Sequence, residues 1–370
     1  MTNAISRVEL KDFLVFKSDF AVDFCPGVNV LIGGNGSGKT TLLKCLYWAC
    51  EFSKQSVLER NRNIILNFTE GTPFRTISHI GNYFLNVQPD NGEKEDCNST
   101  IRLFSNTISD TYPVLNVLVS DSLSSMLIPA DKSGESLEVS NVLAEWCRQK
   151  VRSVFIPVTE MLQHSKGLLA LEREREIPFD KTQIDILSKA ELGETHEITL
   201  NASKLLGEIK SVIMGEVICE NDTFFIVKTD GHKIPFSLEA SGFQKFGLLW
   251  KLLRNGLLES GSILFWDEPE ASVNPELIPA LIDILLELQK GGVQIFIATH
   301  SYDVARWFEL NKKTENSLRY FNLRKTDSGI AADVAEDYVS LPNSVIEDAG
   351  DKLLRRVTEV AAEKAGVALK

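Results

Sequence analysis

One short segment constrains the fold of this chain more than any other. Residues Gly33–Thr40 read Gly-Gly-Asn-Gly-Ser-Gly-Lys-Thr, after an apolar strand predicted over Val28–Ile32 and before a helix predicted over Thr40–Phe52. The segment fits G-x-x-x-x-G-K-[ST], in which backbone N–H groups and a helix N-terminus surround phosphate groups. A dinucleotide fingerprint fits less well, because the third glycine of G-x-G-x-x-G is misplaced. The segment therefore predicts a phosphate-binding loop at the end of a strand.

The residues of this loop have separate predicted roles. Lys39 is expected to reach the β- and γ-phosphates, and the Thr40 hydroxyl is expected to bind Mg²⁺. The cofactors predicted are therefore ATP and Mg²⁺. The residues predicted to contact the nucleotide are Asn35, Gly36, Ser37, Gly38, Lys39, Thr40 and Thr41.

Two later segments supply candidate catalytic groups. An apolar strand predicted over Ser262–Trp266 runs into Asp267, which is expected to hold the Mg²⁺ shell, and Glu268, the natural general base for an attacking water. An acidic turn is the plainer alternative for these two carboxylates. The next predicted strand, Val293–Ala298, leads to His300, which is expected to sense the γ-phosphate and orient the water.

Composition narrows the class of protein. The chain of 370 residues is 44% hydrophobic and 24% charged, with a net charge of −12, which argues against a protein that coats nucleic acid by charge alone. Six cysteines without a C-x-x-C pair predict free thiols in a reducing compartment. No apolar run of about 18 residues and no signal-peptide core appears, so we expect a cytoplasmic protein without a membrane partner.

The order of these motifs resembles that of ABC-type P-loop ATPase heads, which include transporter ATPases, SMC and RecF-like proteins and the OLD-like prokaryotic ATPases. Residues 240–244, Ala-Ser-Gly-Phe-Gln, stand where the superfamily shows L-S-G-G-Q, and they agree at Ser241, Gly242 and Gln244. The resemblance implies that these residues contact ATP held by another subunit, with Ser241 capping the following helix. It therefore implies a homodimer with composite ATP sites, and a higher oligomer stays open.

The resemblance extends to two further segments. Ala271–Pro275 resembles the loop that passes between the two ATP sites, and Phe155–Glu160 resembles a block of small OLD-like ATPases at the position of the Q-loop. No glutamine stands there, so Glu160 becomes the candidate metal-side contact, with an ordinary acid at a helix start as the alternative. The candidates for the adenine contact are Lys11, Phe13 and Phe16, although both phenylalanines are expected to pack in the core instead.

The fold class implied is α/β: a P-loop NTPase of the ABC-type head, with a mostly parallel core sheet, an antiparallel N-terminal β part and a helical lobe. We expect four divisions of the chain. Residues 1–150 form the first part of the nucleotide lobe with an irregular β-rich insert, and residues 151–240 form the helical and signature lobe. Residues 241–325 form the rest of the core, and residues 326–370 form a tail with a terminal helix. The other elements predicted are a loop over Gln88–Ser99, a hairpin over Gly215–Lys233 that turns at Asp230-Gly231, and helices over Met161–Glu176, Asn201–Lys210, Gly242–Leu258, Ile278–Lys290 and Asn343–Lys364.

Several function classes agree with these residues. We expect an ATP hydrolase that acts as an ATP-gated dimeric clamp, in an anti-phage defence or DNA-maintenance system, and that controls a separate effector such as a nuclease or toxin. DNA or RNA as a partner stays open. The alternatives are a RecF-like repair clamp and an ATP-binding scaffold that does not turn over. A transporter ATPase is disfavoured by the altered signature and the missing Q-loop glutamine.

Overall fold

The computed structural model describes residues 5–53, 74–75, 99–109, 111–119, 126–128, 136–175, 177–344, 346–347, 352 and 355–361. The strands are β1 (Arg7–Lys11), β2 (Phe20–Asp23), β3 (Val28–Ile32), β4 (Phe74–Arg75), β5 (Ser99–Phe104), β6 (Leu115–Val119), β7 (Met126–Ile128), β8 (Ser153–Ile156), β9 (Gly215–Glu220), β10 (Thr223–Lys228), β11 (Lys233–Pro235), β12 (Ile263–Asp267), β13 (Gln294–Ala298), β14 (Leu318–Thr326) and β15 (Gly329–Ala335). The helices are α1 (Lys39–Phe52), α2 (Ser136–Gln149), α3 (Leu168–Glu174), α4 (Lys181–Ala190), α5 (Leu200–Ile213), α6 (Ser241–Arg254), α7 (Ile278–Lys290) and α8 (Tyr302–Asn311). Short 3-10 helices occupy Leu162–His164, Phe236–Leu238 and Pro275–Leu277.

A six-stranded sheet in the order β15-β14-β3-β13-β12-β8 forms the centre of the fold. β14, β3, β13, β12 and β8 run parallel, and only the edge strand β15 is antiparallel to its neighbour. Every residue of β3, β12 and β13 is buried, as expected for strands covered on both faces. The predicted α/β class with a mostly parallel core sheet is therefore confirmed.

Side chains alternate between the two faces of this sheet, and each face has its own hydrophobic core. In β12, Leu264 and Trp266 pack into one core with helices α4 to α8, while Ile263 and Phe265 pack into the other. The second core contains residues of α1 and of strands β1, β2, β5 and β6, which belong to the antiparallel sheet β2-β1-β5-β6-β7-β4. The antiparallel N-terminal part was predicted, and it covers one side of α1.

The region between the predicted strands and the signature differs from the sequence prediction. The helix predicted over Met161–Glu176 is split, because Gly167 adopts a left-handed φ of 72° between the 3-10 helix and α3. The single hairpin predicted over Gly215–Lys233 is a three-stranded sheet. Asp230-Gly231 joins β10 to β11, and a first turn at Asn221-Asp222, both with positive φ, joins β9 to β10.

Three helices, α2, α4 and α8, were not predicted, and other predictions lie outside the described residues. α4 begins with a capping box between Asp180 and Gln183, and α8 begins at Tyr302 after the N-cap Ser301, whose side chain accepts from the Val304 N–H. Of the terminal helix predicted over Asn343–Lys364, residues 346–347, 352 and 355–361 are described and helical, whereas Asn343, with a φ of 56°, and Ser344 lie before the helix. The loop predicted over Gln88–Ser99 falls outside the described residues, apart from Ser99 at the start of β5.

Candidate nucleotide-binding and catalytic site

Three glycines give the phosphate-binding loop its shape. Gly33, Gly36 and Gly38 have φ values of 144°, 68° and 91°, which favour glycine over residues with a side chain. A Cβ atom on Gly33 would lie 2.2 Å from the Leu323 carbonyl oxygen, and one on Gly38 would lie 2.9 Å from the ring of Phe16. Gly33 and Gly38 therefore require glycine for both conformation and space, and Gly36 requires it for conformation.

Polar groups converge inside this loop. Lys39 is 8% exposed, and its ammonium donates to the carbonyl oxygens of Gly33 at 2.8 Å and Gly34 at 3.1 Å. Burial lowers the pKa of Lys39, while nearby carboxylates, Asp267 foremost, oppose that change. The Ser37 hydroxyl is buried and has no hydrogen-bond partner among the described residues. A buried ammonium and a partnerless hydroxyl both suit the oxygen atoms of a phosphate group.

The other loop residues predicted to contact the nucleotide lie around this mouth. Asn35 and Gly36 are exposed, Gly38 is buried, and Thr40 and Thr41 lie in the first turn of α1. The loop and the first turn of α1 therefore bring the whole predicted set together at the end of β3.

Asp267 at the end of β12 meets Thr40 at the start of α1. The Thr40 hydroxyl donates to Asp267 Oδ2 at 2.8 Å, whereas the buried Asp267 Oδ1 has no hydrogen-bond partner among the described residues. Burial raises the pKa of Asp267 to about 6, the Thr40 hydrogen bond opposes this, and the nearby Glu268 charge adds to it. A partnerless carboxylate oxygen beside a hydroxyl fits a hard cation such as Mg²⁺, which prefers oxygen ligands.

Glu268 and His300 form the second polar pair of the site. His300 Nδ1 lies 3.1 Å from Glu268 Oε1, and the two side chains are 49% and 30% exposed. The Glu268 N–H donates to the Ala298 carbonyl at 2.8 Å, which joins the ends of β12 and β13. The geometry therefore places a carboxylate and an imidazole together at a surface open to solvent, next to Asp267.

Glu270 holds the segment that carries His300, and the sequence analysis did not find this role. Its Oε1 accepts from the Thr299 hydroxyl at 2.6 Å and from the His300 N–H at 3.3 Å. The Thr299 N–H in turn donates to the Leu31 carbonyl at 2.9 Å, just before the phosphate-binding loop. A third carboxylate, three residues after Asp267, was the only signal in the sequence, and it pointed to no partner.

Lys245 is a second residue that the sequence analysis missed. It lies in the second turn of α6, is 3% exposed, and its ammonium donates to the carbonyl oxygens of Glu268 at 3.0 Å and Pro269 at 3.3 Å. Burial lowers the pKa of Lys245 to about 8, and the Glu160 carboxylate is the strongest of the charges that oppose this. A lysine directly before the apolar run Phe246–Trp250 could have marked the position as unusual.

The signature segment differs in part from its prediction. The N-cap of α6 is Ala240, whose backbone is extended, and α6 begins at Ser241, so the prediction that Ser241 caps this helix is wrong. Ser241 is exposed in the first turn, and Gly242 lies against Ser272 and Val273 of the loop 271–275. The buried amide of Gln244 donates to two carbonyl oxygens of its own chain, of Phe236 and, at 3.0 Å, of Glu239. Gln244 thus holds the preceding turn instead of facing a ligand.

Glu160 and the adenine candidates have local partners. Glu160 Oε1 accepts from the Leu162 N–H at 3.0 Å, at the start of a 3-10 helix. This contact fits the alternative prediction of an ordinary acid at a helix start. Burial raises the pKa of Glu160 to about 7. Phe13 and Phe16 are fully buried in the core around α1, as expected. Lys11 is exposed, with its ammonium 3.9 Å from Asp19.

Two family models match this chain over the segments that build the site. The first, described as an AAA domain, matches residues 7–217, more than half of the chain. The chain belongs to this family of AAA domains. The second, described as "AAA domain, putative AbiEii toxin, Type IV TA system", matches residues 149–305.

The AAA domain is also similar to individual proteins. It is 34% identical to the arginine transport ATP-binding protein ArtP of Haemophilus influenzae over 71 residues, which are 19% of this chain and 28% of that protein. The chain thus matches less than a third of the length of that relative. Among solved structures, that of the SmcHead bound to the C-winged helix domain of ScpA is similar over 91% of this chain and 98% of the solved chain, at 12% identity and a TM-score of 0.47. The SMC head domain from Thermotoga maritima aligns with 90% and 98%, at 14% identity and a TM-score of 0.41.

Helices of the described part of the chain are all too short or too polar to cross a membrane.

Proposed function

We propose that this AAA domain binds ATP with Mg²⁺ and hydrolyses the bond between the β- and γ-phosphates. The observation that carries the proposal is the Thr40–Asp267 hydrogen bond of 2.8 Å, because it places a partnerless buried oxygen of Asp267 beside the phosphate-binding loop. Thr40 and Asp267 would hold Mg²⁺, directly or through water. When bound, the cation would neutralise charge on the β- and γ-phosphates.

The remaining groups of the site have roles that follow from their positions. Lys39 leaves the Gly33 and Gly34 carbonyls to bind the phosphates, and the loop N–H groups surround them. Glu268 accepts the proton of the attacking water, and His300, 3.1 Å away, orients that water and the carboxylate. Glu160 is the second candidate on the metal side, and it would have to release the Leu162 N–H to reach the cation.

A dimeric clamp is the form of this activity that we favour. Ser241 is exposed at the start of α6, and Gly242 lies against the loop 271–275, so one surface contains both segments. In the proposed homodimer, Ser241 and Gly242 contact the ATP of the partner subunit, ATP closes the clamp, and hydrolysis opens it. The closed dimer would also cover the solvent-open Glu268–His300 pair, which excludes bulk water from the reaction.

The biological setting that we propose is a cytoplasmic defence or DNA-maintenance system in which the clamp controls a separate effector, such as a nuclease or toxin. The description of the second family model, which refers to a putative AbiEii toxin and a type IV toxin–antitoxin system, supports this setting. DNA or RNA is a further candidate partner, bound through a local surface, since the net charge is −12.

The test uses the Glu268→Gln variant. We expect phosphate release to fall by at least about a hundredfold, because the general base is lost, while Mg-ATP still binds. Light scattering should then show a stable dimer with Mg-ATP and a monomer without nucleotide. Glu172→Gln, at an exposed position of α3, is the control and should behave as the wild type. Unchanged phosphate release would exclude Glu268 as the base, and a mass that ignores ATP would exclude the clamp.

A further inference from the structure

The peptide that carries Glu268 has an unusual backbone conformation. Glu268 has a φ of 49°, in the left-handed region that residues with a side chain seldom adopt. Such a conformation persists only where surrounding contacts fix it. On one side, the Glu268 N–H donates to the Ala298 carbonyl at 2.8 Å. On the other side, the Glu268 carbonyl accepts from the Ala271 N–H at 3.0 Å and from the Lys245 ammonium, also at 3.0 Å.

Lys245 makes the only side-chain contribution to these backbone bonds of Glu268 within the described residues. Its ammonium also donates to the Pro269 carbonyl at 3.3 Å, so it fixes two consecutive peptide groups after Asp267. A buried ammonium carries a desolvation cost that an apolar side chain at the same place would avoid. Filling space in α6 therefore does not explain a lysine here, whereas donating to two carbonyl oxygens does.

The same helix turn connects Lys245 to the exposed signature segment. Lys245 lies four residues after Ser241, about one turn of α6. A Cβ atom added to Gly242, which lies between them, would be 3.7 Å from Val273 and 3.8 Å from Ser272, so Gly242 faces the loop that starts at Ala271. A displacement of the first turn of α6 therefore reaches Glu268 by two routes, through the Lys245 ammonium and through the loop 271–275.

We infer that Lys245 is a positioning residue, which links contacts made at Ser241 to the placement of the Glu268 carboxylate. The inference rests on the proposed function, since it assigns Glu268 as the base. Lys245 does not touch the nucleotide. It sets the backbone from which Glu268 projects, so that engagement of Ser241 and Gly242 by ATP on a partner subunit brings the carboxylate into line with the attacking water.

The decisive comparison is Lys245→Met against Lys251→Met. Lys251 is a second buried lysine of α6, but it lies at the far end of the helix, with its ammonium 3.8 Å from Glu194. We expect Lys245→Met to lower kcat by about tenfold or more, with the Kd for Mg-ATP within about twofold of the wild type, because only an interaction with the catalytic base is lost. Lys251→Met should keep kcat within about twofold under the same comparison.

A double variant separates positioning from general loosening of the site. If Lys245 acts through Glu268, adding Lys245→Met to Glu268→Gln should leave the residual single-turnover rate unchanged, since residues that act as a unit are not additive. Multiplied losses in the double variant, an unchanged kcat in Lys245→Met, or a Kd that rises in parallel with the loss of kcat would each overturn the inference. Should Lys245→Met not fold, Lys245→Gln provides the same comparison.

The outcomes also distinguish this inference from the proposed function. A wild-type chain that binds Mg-ATP but releases no phosphate overturns the hydrolase proposal, and this inference with it. An active wild type with an unaffected Lys245→Met overturns the positioning role alone.

Discussion

At the level of a single residue, Asp267 is a candidate cation ligand whose buried charge is expected to oppose folding. It is 4% exposed, one of its oxygens is partnerless among the described residues, and burial raises its pKa to about 6. Near neutral pH the carboxyl group is therefore mainly ionised in surroundings that disfavour its charge. Under the proposal that Asp267 binds Mg²⁺, the folded protein carries this cost until a cation is bound.

We predict that Asp267→Asn stabilises the nucleotide-free protein at pH 7.5 and abolishes ATP hydrolysis. A folded pKa of about 6, raised from 3.8, means that ionisation opposes folding above the folded pKa and has no effect below the unfolded pKa. The gain in the free energy of unfolding should therefore be largest above pH 6, up to about 3 kcal/mol, and should shrink as the pH falls towards 4. Urea denaturation at several pH values measures it.

The exposed Asp19 provides the control for that comparison, because its side chain is largely in solvent. Asp19→Asn should change the free energy of unfolding by less than about 0.5 kcal/mol at every pH. An Asp267→Asn protein that is less stable than the wild type at pH 7.5 would contradict the idea that the Asp267 charge is destabilising in the folded chain.

At the level of elements, α1 connects the phosphate-binding loop to α4 through a line of polar contacts. Lys44 forms an ion pair with Asp180, Tyr47 donates its hydroxyl to Asp185 Oδ2 at 2.9 Å, and Glu51 Oε1 lies 3.0 Å from the Lys189 ammonium. The three α1 residues are spaced by three and four, so they lie on one face of the helix. Because α1 begins at Lys39, α4 is part of the support of the nucleotide site.

We predict that Tyr47→Phe lowers the free energy of unfolding by about 1–3 kcal/mol, because Asp185 and Lys189 both lose the buried hydroxyl that lies between them. Thermal and urea denaturation measure the loss. The control is Tyr302→Phe in the first turn of α8, where the side chain is 41% exposed and the same change should be nearly neutral. Equal stability of the two variants would show that the α1–α4 contacts add little.

Much of this element arrangement could be predicted from the sequence, and the misses have physical reasons. β3, β12 and β13 were predictable because their residues are mostly apolar, as in strands that are buried on both faces. The break at Gly167 was missed, because helical periodicity continued across it. α4 was missed although its capping box is visible in the sequence, because the helix is short and part of its polar face is buried against α1.

The site itself was predictable only where a motif specifies the chemistry of adjacent residues. The phosphate-binding loop, Asp267 and Glu268 belong to such motifs, and the fold brings them together at the ends of β3 and β12. Lys245 and Glu270 were missed because their partners are distant in the chain: Lys245 reaches Glu268, and Glu270 reaches Thr299. Contacts of that kind follow from strand order and helix placement, which the sequence does not state.

At the level of the whole molecule, the candidate catalytic pair of one chain lies at an open surface. The Glu268–His300 pair is open to solvent, and the exposed Ser241 is the start of a helix whose N–H groups suit an anion. In a two-fold symmetric dimer each chain can cover the other's site and supply its own Ser241 there. The proposed clamp therefore requires Lys39 and Glu268 to act from one chain and Ser241 to act from the other.

We predict that two inactive variants restore activity when mixed, provided that their lesions lie on opposite sides of the composite site. Lys39→Ala removes the phosphate-binding ammonium, and Ser241→Arg blocks the signature turn, so each homodimer should be inactive. A mixed dimer contains one intact pairing, the loop of the Ser241→Arg chain with the signature of the Lys39→Ala chain. Random exchange should therefore restore about a quarter of the wild-type rate, measured as phosphate release.

The control mixes Lys39→Ala with Glu268→Gln. Lys39 lies near Asp267 and Glu268 of its own chain, so Lys39 and Glu268 belong to the same half of the composite site. Each mixed dimer therefore retains a lesion in both of its sites. No activity should return. Recovery in the first mixture without recovery in the control requires catalysis to use Ser241 from one subunit and Lys39 with Glu268 from the other. Recovery in neither would mean that Ser241 serves its own chain, and the solvent-open Glu268–His300 pair would then need a different cover.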